Sequence, residues 1–298
     1  MLMKIVMARK VVPIALLALA GTIVASAQYN RPGEQQEKSA AGATLTTEFV
    51  KTGLYVISGG GDNTLLRLTG NGLILVDGKL PGNYDLLLKR VNRISDQPVR
   101  ALIVTDRDES ANGNNAKFLE AGTRIIAQEN AKPRPPGYAD PDAKVAPLII
   151  TYDREYTLRL GRVEAQLLHF GNAHTSGDTV VYFPNLKVVA VGDLFATTPN
   201  PDFSAGGSLV GWGPVLAQIL KLDFDVVVPG TGATVTRADL ETFKKKLDTL
   251  VSRAVELAKK GVPKDQLMAQ LKTDDLGFQL TFTGDQLDHF FAELSSTK

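Results

Sequence analysis

Apolar and polar positions in this chain follow two different periods, and the changes between them mark out its elements. From Thr46, four short runs, TTEFVK, LYVIS, TLLRLT and LILVD, are separated by Thr52-Gly53, Gly59 to Asn63 and Gly70-Asn71-Gly72. β-Branched or aromatic runs of this length, closed by glycine turns, predict consecutive strands in a β-meander. At Tyr84 the period lengthens: Leu86, Leu87, Leu88, Val91 and Ile94 approximate one face of a helix over Tyr84 to Ile94. The apolar strand Ala101 to Thr105, a polar loop, a helix near Asn114 to Ala121 and the strand Arg124 to Ala127 follow. Strand, helix, strand in that order is the βαβ pattern of a sheet covered by helices.

Lys132 to Asp142, KPRPPGYADPD, carries four prolines and reads as a surface connection between two halves. Beyond it the outline repeats. LIITYD, YTLRL and VEAQLLHF predict strands, as do Thr179 to Phe183, Lys187 to Val191 and Val226 to Pro229, with a helix near Val215 to Leu222. Arg237 to Lys260 sets Leu240, Phe243, Leu247, Leu250, Val251 and Ala254 on one side of a long helix, and shorter helices are expected near Pro263 to Leu271 and Gly284 to Leu294. Two successive units of this kind suggest an α+β fold with two sheets face to face and helices outside, a four-layer αββα sandwich.

The amino terminus lies outside that scheme. Lys4, Arg9 and Lys10 precede an apolar run from Val11 to Val24, and Ala25-Ser26-Ala27 supplies the small residues of a signal-peptidase site. The run is shorter than the about 20 apolar residues of a membrane span. Export is therefore expected, to the periplasm or the medium, with residues 1–27 as a signal peptide cleaved after Ala27 and no stable membrane anchor afterwards. Residues 28–43 are polar and read as a flexible arm, and 44–298 as one domain with C-terminal helices. With 33 basic and 32 acidic residues, nothing in the charge asks for nucleic acid as a partner. The absence of cysteine excludes disulfides and thiolate metal ligands.

Chemistry concentrates in Gln166 to Phe195, QLLHFGNAHTSGDTVVYFPNLKVVAVGDLF, which holds His169 and His174, two of the three histidines, together with Asp178 and Asp193. His174 and Asp193 fall just past predicted strand ends, where a rigid scaffold can aim side chains at a common point. The run G-N-A-H-T-S-G-D-T-V-V-Y-F-P with V-G-D-L-F resembles the metallo-β-lactamase superfamily, and the resemblance extends from about Thr46 to about Leu250. It implies the same αββα architecture. It also implies that His174 and Asp193 occupy metal-ligand positions, that Asp77 in the L-V-D strand supports the site from behind, and that Val228-Pro229-Gly230 leads to the place of a final histidine.

Where the family carries T-H-x-H-x-D-H, this chain reads Thr105-Asp106-Arg107-Asp108-Glu109-Ser110-Ala111, and Thr231 stands for the final histidine. Ser110, Ala111 and Thr231 are poor or incapable ligands, so dinuclear zinc is not expected. Asp106, Asp108, His174 and Asp193 remain as candidate ligands for one divalent ion, with Asp77 and His169 behind them. Three carboxylates and one imidazole favour manganese, magnesium or calcium over zinc. The plainer reading of Asp106 and Asp108 is a solvated loop, interleaved with Arg107 and Glu109. His169, inside an apolar strand, is better explained by packing than by ligation. A triad of Ser110 or Ser176 with His174 and Asp193 can be written on paper but lacks a nucleophile-elbow sequence. Two functions follow: an exported protein with a degenerate hydrolase site that binds a small molecule or a protein without catalysis, or a mononuclear metal-dependent hydrolase.

Overall fold

The structure is a computed structural model that describes residues 44–131 and 148–296. The expected signal peptide, the 28–43 arm and the proline-rich segment Lys132 to Asp142 lie outside those residues.

Strands β1 (Thr46–Lys51), β2 (Leu54–Ser58), β3 (Thr64–Thr69) and β4 (Gly72–Val76) form the expected antiparallel meander. Helix α1 (Tyr84–Asn92) then crosses over to β5 (Val99–Ile103), which lies parallel to β4. A crossover between parallel strands needs a connection of this size. Short helices α2 (Glu109–Asn112) and α3 (Asn115–Glu120) lead to β6 (Arg124–Gln128), also parallel. The polar loop expected after β5 thus contains a turn of helix.

β7 (Ile149–Tyr152) corrects the expected boundary between halves. It pairs in parallel with β6 and completes a seven-stranded sheet in the order β1 to β7. The chain leaves this first sheet at Asp153-Arg154, not at the proline-rich segment. Ile125 to Gln128 find register with Ile149 to Tyr152, so LIITYD closes the first sheet and does not open the second. The second sheet comprises β8 (Glu155–Leu160), β9 (Val163–Leu168), β10 (Val180–Phe183), β11 (Val188–Gly192), β12 (Val226–Pro229) and β13 (Val235–Thr236).

Three buried clusters establish the four layers. Val56, Ile74, Ile103, Ala165, Val181 and Phe183 fill the space between the sheets. Leu75 and Leu102 pack outward on Leu87 and Val91 of α1 and Phe118 of α3. Val180 and Tyr182, the alternate residues of β10, face the other way onto α4 (Leu209–Ile219) and α5 (Arg237–Lys259). Both faces of the central strands are covered, which is why they read as continuous apolar runs. Leu240, Phe243, Leu247, Leu250 and Ala254 are the buried stripe of α5, each large side chain contributing about 1.5–3 kcal/mol. Helices α6 (Lys264–Gln270) and α7 (Asp285–Ser296) pack against α5.

Helix α4 starts at Leu209, six residues before the expected Val215, despite Gly211, Gly213 and Pro214. Its start is fixed from outside: the Ser208 side chain accepts from Gly211 N–H, and the Glu293 carboxylate of α7 accepts from Leu209 N–H at 3.2 Å. Such capping satisfies amides that no local partner serves.

Candidate metal centre

The candidate residues meet at one end of the sandwich, beyond the carboxyl ends of β4, β5 and β11. Asp77 follows β4, Thr105-Asp106 follows β5 and Asp193 follows β11, while His174 stands in the loop from β9 to β10. Backbone bonds tie the two sheets together at this end: Thr179 N–H donates to Thr105 O at 2.6 Å and Asn63 N–H to Gly230 O at 2.6 Å. Gly192 has a φ of 52°, and a Cβ there would lie 2.6 Å from the Thr105 hydroxyl, so the turn that delivers Asp193 requires glycine.

Ligand atoms of Asp106, His174 and Asp193 lie within 4.8 Å of one another, a group able to hold one metal ion. Asp106 is only 1 % exposed. The solvated-loop reading therefore fails for Asp106, whose Oδ1 accepts Asp108 N–H at 2.8 Å and folds the loop back over the carboxylate. Asp108 is half-buried and accepts from His174 Nε2–H at 3.1 Å, while Asp193 Oδ2 is 3.7 Å from the same nitrogen. The other ring nitrogen, Nδ1–H, donates to Asn200 O at 3.0 Å. That bond fixes the ring and leaves Nε2 as the nitrogen turned toward the carboxylates.

The loop after Asp193 grips His174 from both sides. Asp202 N–H donates to His174 O at 2.8 Å and Ser208 N–H to Ala173 O at 2.8 Å. Trp212 of α4, fully buried with its indole N–H on Leu194 O, lies beside the imidazole with ring centroids 6.1 Å apart. A Cβ on Gly207 would stand 2.3 Å from His174 O. Gly207→Ala should therefore cost about 1–3 kcal/mol; a melting curve and the His174 ring resonances, which should both shift, check this.

Asp77 is buried and accepts from Thr105 N–H at 2.8 Å and Thr105 Oγ1–H at 2.9 Å, fixing the residue that precedes Asp106. His169 lies just past β9, not within it, and its Nδ1 meets Asp178 O at 2.8 Å. It contacts the loop behind His174 and not the carboxylate group. Ser110 Oγ–H donates to Asp62 Oδ2 at 3.0 Å, Ala111 is buried and Thr231 is exposed. With both His174 nitrogens occupied by Asp108 and Asn200, the serine triad is not assembled.

Two residues escaped the sequence. Asp62, in the glycine turn, is 2 % exposed, and Lys79, after Asp77, is fully buried. Nothing in G-G-G-D-N or V-D-G-K-L distinguishes them from surface turn residues; only the fold turns them inward. The described residues thus bring together carboxylates of Asp62, Asp77, Asp106, Asp108, Asp178 and Asp193 against the cations Lys79 and His174.

Protons respond to that imbalance. Burial, with the Asp77 and Asp193 charges added, holds Asp106 well above the usual carboxylate range. Burial and Asp193 push Asp62 up to about 7, and burial alone is the main cause that takes Asp178 to about 7. Burial raises Asp193 as well, against the pull of His174. For His174, burial favours the neutral ring, but the Asp108 hydrogen bond and the Asp106 and Asp193 charges outweigh it and raise the pKa to about 10. Asp108 is held low by its hydrogen bond from His174. A cluster that retains protons for want of positive charge is suited to a cation.

The sequence pattern of the metallo-β-lactamase superfamily matches residues 112–231. Over that stretch the chain is similar to the metallo-β-lactamase superfamily. Among similar proteins, the 2,4-dinitroanisole O-demethylase subunit alpha of Nocardioides sp. (strain JS1661) is 26 % identical over 237 residues, 78 % of this chain and 70 % of that protein. The metallo-β-lactamase type 2 of Bacillus cereus is 24 % identical over 179 residues, 57 % of this chain and 66 % of that one. Two solved structures share this fold. The metallo-β-lactamase from Pontibacter korlensis superposes with a TM-score of 0.58 at 19 % identity, over 69 % of this chain and 99 % of its own. The stereoselective inverting sec-alkylsulfatase Pisa1 from Pseudomonas sp. gives 0.63 at 16 %, over 83 % of this chain and 47 % of its own. The chain that shares this likeness has a group of two carboxylates and one imidazole in reach of a single ion.

Proposed function

We propose that this chain is an exported, mononuclear metal-dependent hydrolase, its dinuclear zinc motif lost and its remaining ion held by Asp106, His174 and Asp193. The observation that carries the reading is the convergence of those three side chains, with Asp106 buried and His174 oriented through Nδ1. The donor set fits: hard carboxylate oxygens with one imidazole suit manganese, magnesium or calcium better than zinc. Held by Asp106, His174 and Asp193, a divalent ion would supply Lewis acidity and lower the pKa of a nucleophilic water. Asn200 and, through Thr105, Asp77 orient the donors, and while no ion is bound Asp108 accepts a hydrogen bond from His174 Nε2–H.

Asp108, held ionised beside His174, adds negative charge next to this group, which disfavours phosphate or sulfate esters and favours small uncharged esters, amides or ethers. One relative is named for O-demethylation of 2,4-dinitroanisole, an uncharged ether. Export rests on the basic, apolar and small-residue order of residues 1–27.

A second reading, ligand or partner binding without catalysis, is favoured by the 3.1 Å bond between His174 and Asp108, because a proton can hold the cluster together in the absence of an ion. Elemental mass spectrometry on protein purified without tag or chelator, with manganese, calcium, magnesium and zinc titrations, separates the two. About one metal per chain is expected. Metal-free protein that ignores all four ions would establish the non-catalytic reading instead.

A further inference from the structure

Lys79 sits on the inner side of the acidic cluster in a backbone built to hold it there. Asp77 and Lys79 have φ values of 65° and 73°, a region that side-chain-bearing residues seldom enter without tertiary support. That support is present. Gly78 N–H donates to Ala111 O at 2.5 Å and Leu80 N–H to Gly60 O at 3.0 Å, while the one amide of Asn114 donates to the carbonyls of Gly78, Lys79 and Leu80 at 2.8, 3.1 and 2.9 Å. The left-handed backbone turns the lysine inward, where it is fully buried and its Nζ donates to Ile57 O at 2.6 Å and to Asp62 O.

A fully buried ammonium is costly to desolvate unless acceptors and negative charge surround it. Here two carbonyl oxygens accept it, and Asp62 and Asp77 are the charges that act on it. We propose that the Ile57 and Asp62 carbonyls, flanked by the Asp62 and Asp77 carboxylates, form a monovalent-cation site, and that the Lys79 ammonium is its resident cation. The inner half of the cluster is thereby neutralised by the chain itself, and the outer half around His174 is left to exchange protons or ions with solvent. The inference stands whether or not a metal binds at His174, because none of Ile57, Asp62 or Lys79 belongs to that ligand group. Burial draws the Lys79 pKa down to about 7 against the pull of Asp62 and Asp77, so the ammonium form is present at pH 6.

A lysine that merely fills space and a lysine that supplies charge are separated by chemical rescue of the full chain. Lys79→Ala leaves a hole lined by acceptors, whereas Lys79→Met fills the hole without charge. Both variants are expected to melt below the parent. n-Propylammonium should raise the Lys79→Ala melting temperature by about 2 °C or more, while leaving Lys79→Met and the parent unchanged; tetramethylammonium at equal ionic strength, which has no N–H donors, should have no effect. Rescue of neither variant, or equal rescue of both, overturns the proposal. Should Lys79→Ala yield no folded protein, nitrogen-15 NMR of the lysine side chains in the unaltered chain at pH 6 decides. A slowly exchanging ammonium in contact with Ile57 and Asp62 is expected, and a neutral amine there overturns the assignment.

Discussion

His174→Ala is expected to abolish metal binding, lowering affinity by at least about 100-fold, since even outer-sphere partners of metal ligands are worth 10–100-fold. The remaining donors, Asp106 and Asp193, are two carboxylates with no third group to close the site. In the unaltered protein, an ion at one hundred times its Kd should add about 2.7 kcal/mol of stability; in the variant that increment should vanish. The variant should also be less stable without metal, by about 3–5 kcal/mol, because a buried imidazolium is removed from among Asp106, Asp108 and Asp193. His169→Ala is the control. Its ring meets only the Asp178 carbonyl, so it should cost about 1 kcal/mol and leave metal affinity intact. Calorimetric titration with manganese and calcium, paired with melting curves, reads both quantities; equal metal affinity in His174→Ala and the parent would refute the assigned centre.

The second large effect is the pH dependence of metal-free stability. Asp62 and Asp178 titrate at about 7 in the folded chain, and Asp77, Asp106 and Asp193 are also raised, whereas in the unfolded chain all titrate near 3.8. The folded state therefore holds more protons between those values, and the contribution of these groups, complete below pH 3.8, is lost as pH rises through 7. Each retained proton is worth about 1.4 kcal/mol per pH unit. Asp108, held low, works in the opposite direction but is one group against five.

Above pH 7 two further groups oppose each other. His174, raised to about 10, contributes stability that is full below 6.5 and lost toward 10. Lys79, lowered to about 7, binds its proton more weakly in the folded chain than in the unfolded one, so stability from this group is regained between 7 and 10.5. Metal-free protein should thus lose stability steeply from pH 4 to 7 and change little from 7 to 10. Asp62→Asn should reduce the slope of the first limb by about one proton. Saturating metal should oppose the loss more strongly as pH rises, because the ion displaces protons from its ligands. Urea unfolding across pH 4 to 10, with and without metal, tests all three statements. A flat profile between pH 4 and 7 would rule out the proton-holding cluster.

The sequence revealed much of this architecture because its strands are short, doubly covered and punctuated by glycine. β2, β3, β4 and β12 coincide with apolar runs, and α5 with its stripe from Leu240 to Ala254. It misled where tertiary contacts overrode local signals. The proline-rich segment looked like the boundary between halves, yet the register of β7 against β6 assigns the next strand to the first sheet. Gly211, Gly213 and Pro214 argued against a helix that Ser208 and Glu293 cap from outside.

At the site, the loops bearing His174 and Asp193 could be found from strand ends and residue type, and Asp77 from the strand it closes. The burial of Asp106 could not, because D-R-D-E has the composition of a solvated loop; the Thr105 bonds to Asp77 and Thr179 draw it inward. Lys79 was invisible for a related reason. Its inward path depends on a left-handed backbone held by Asn114, thirty-five residues farther along the chain.

The donors reach the centre from opposite sheets: Asp106 extends from β5 of the first, His174 and Asp193 from the loop before β10 and the end of β11 of the second. An ion held among them acts as a rivet through the sandwich. It would resist sliding of one sheet over the other at the end where Thr179 meets Thr105, as Lys51 Nζ, donating to Leu186 O at 2.6 Å, ties the sheets at the opposite end.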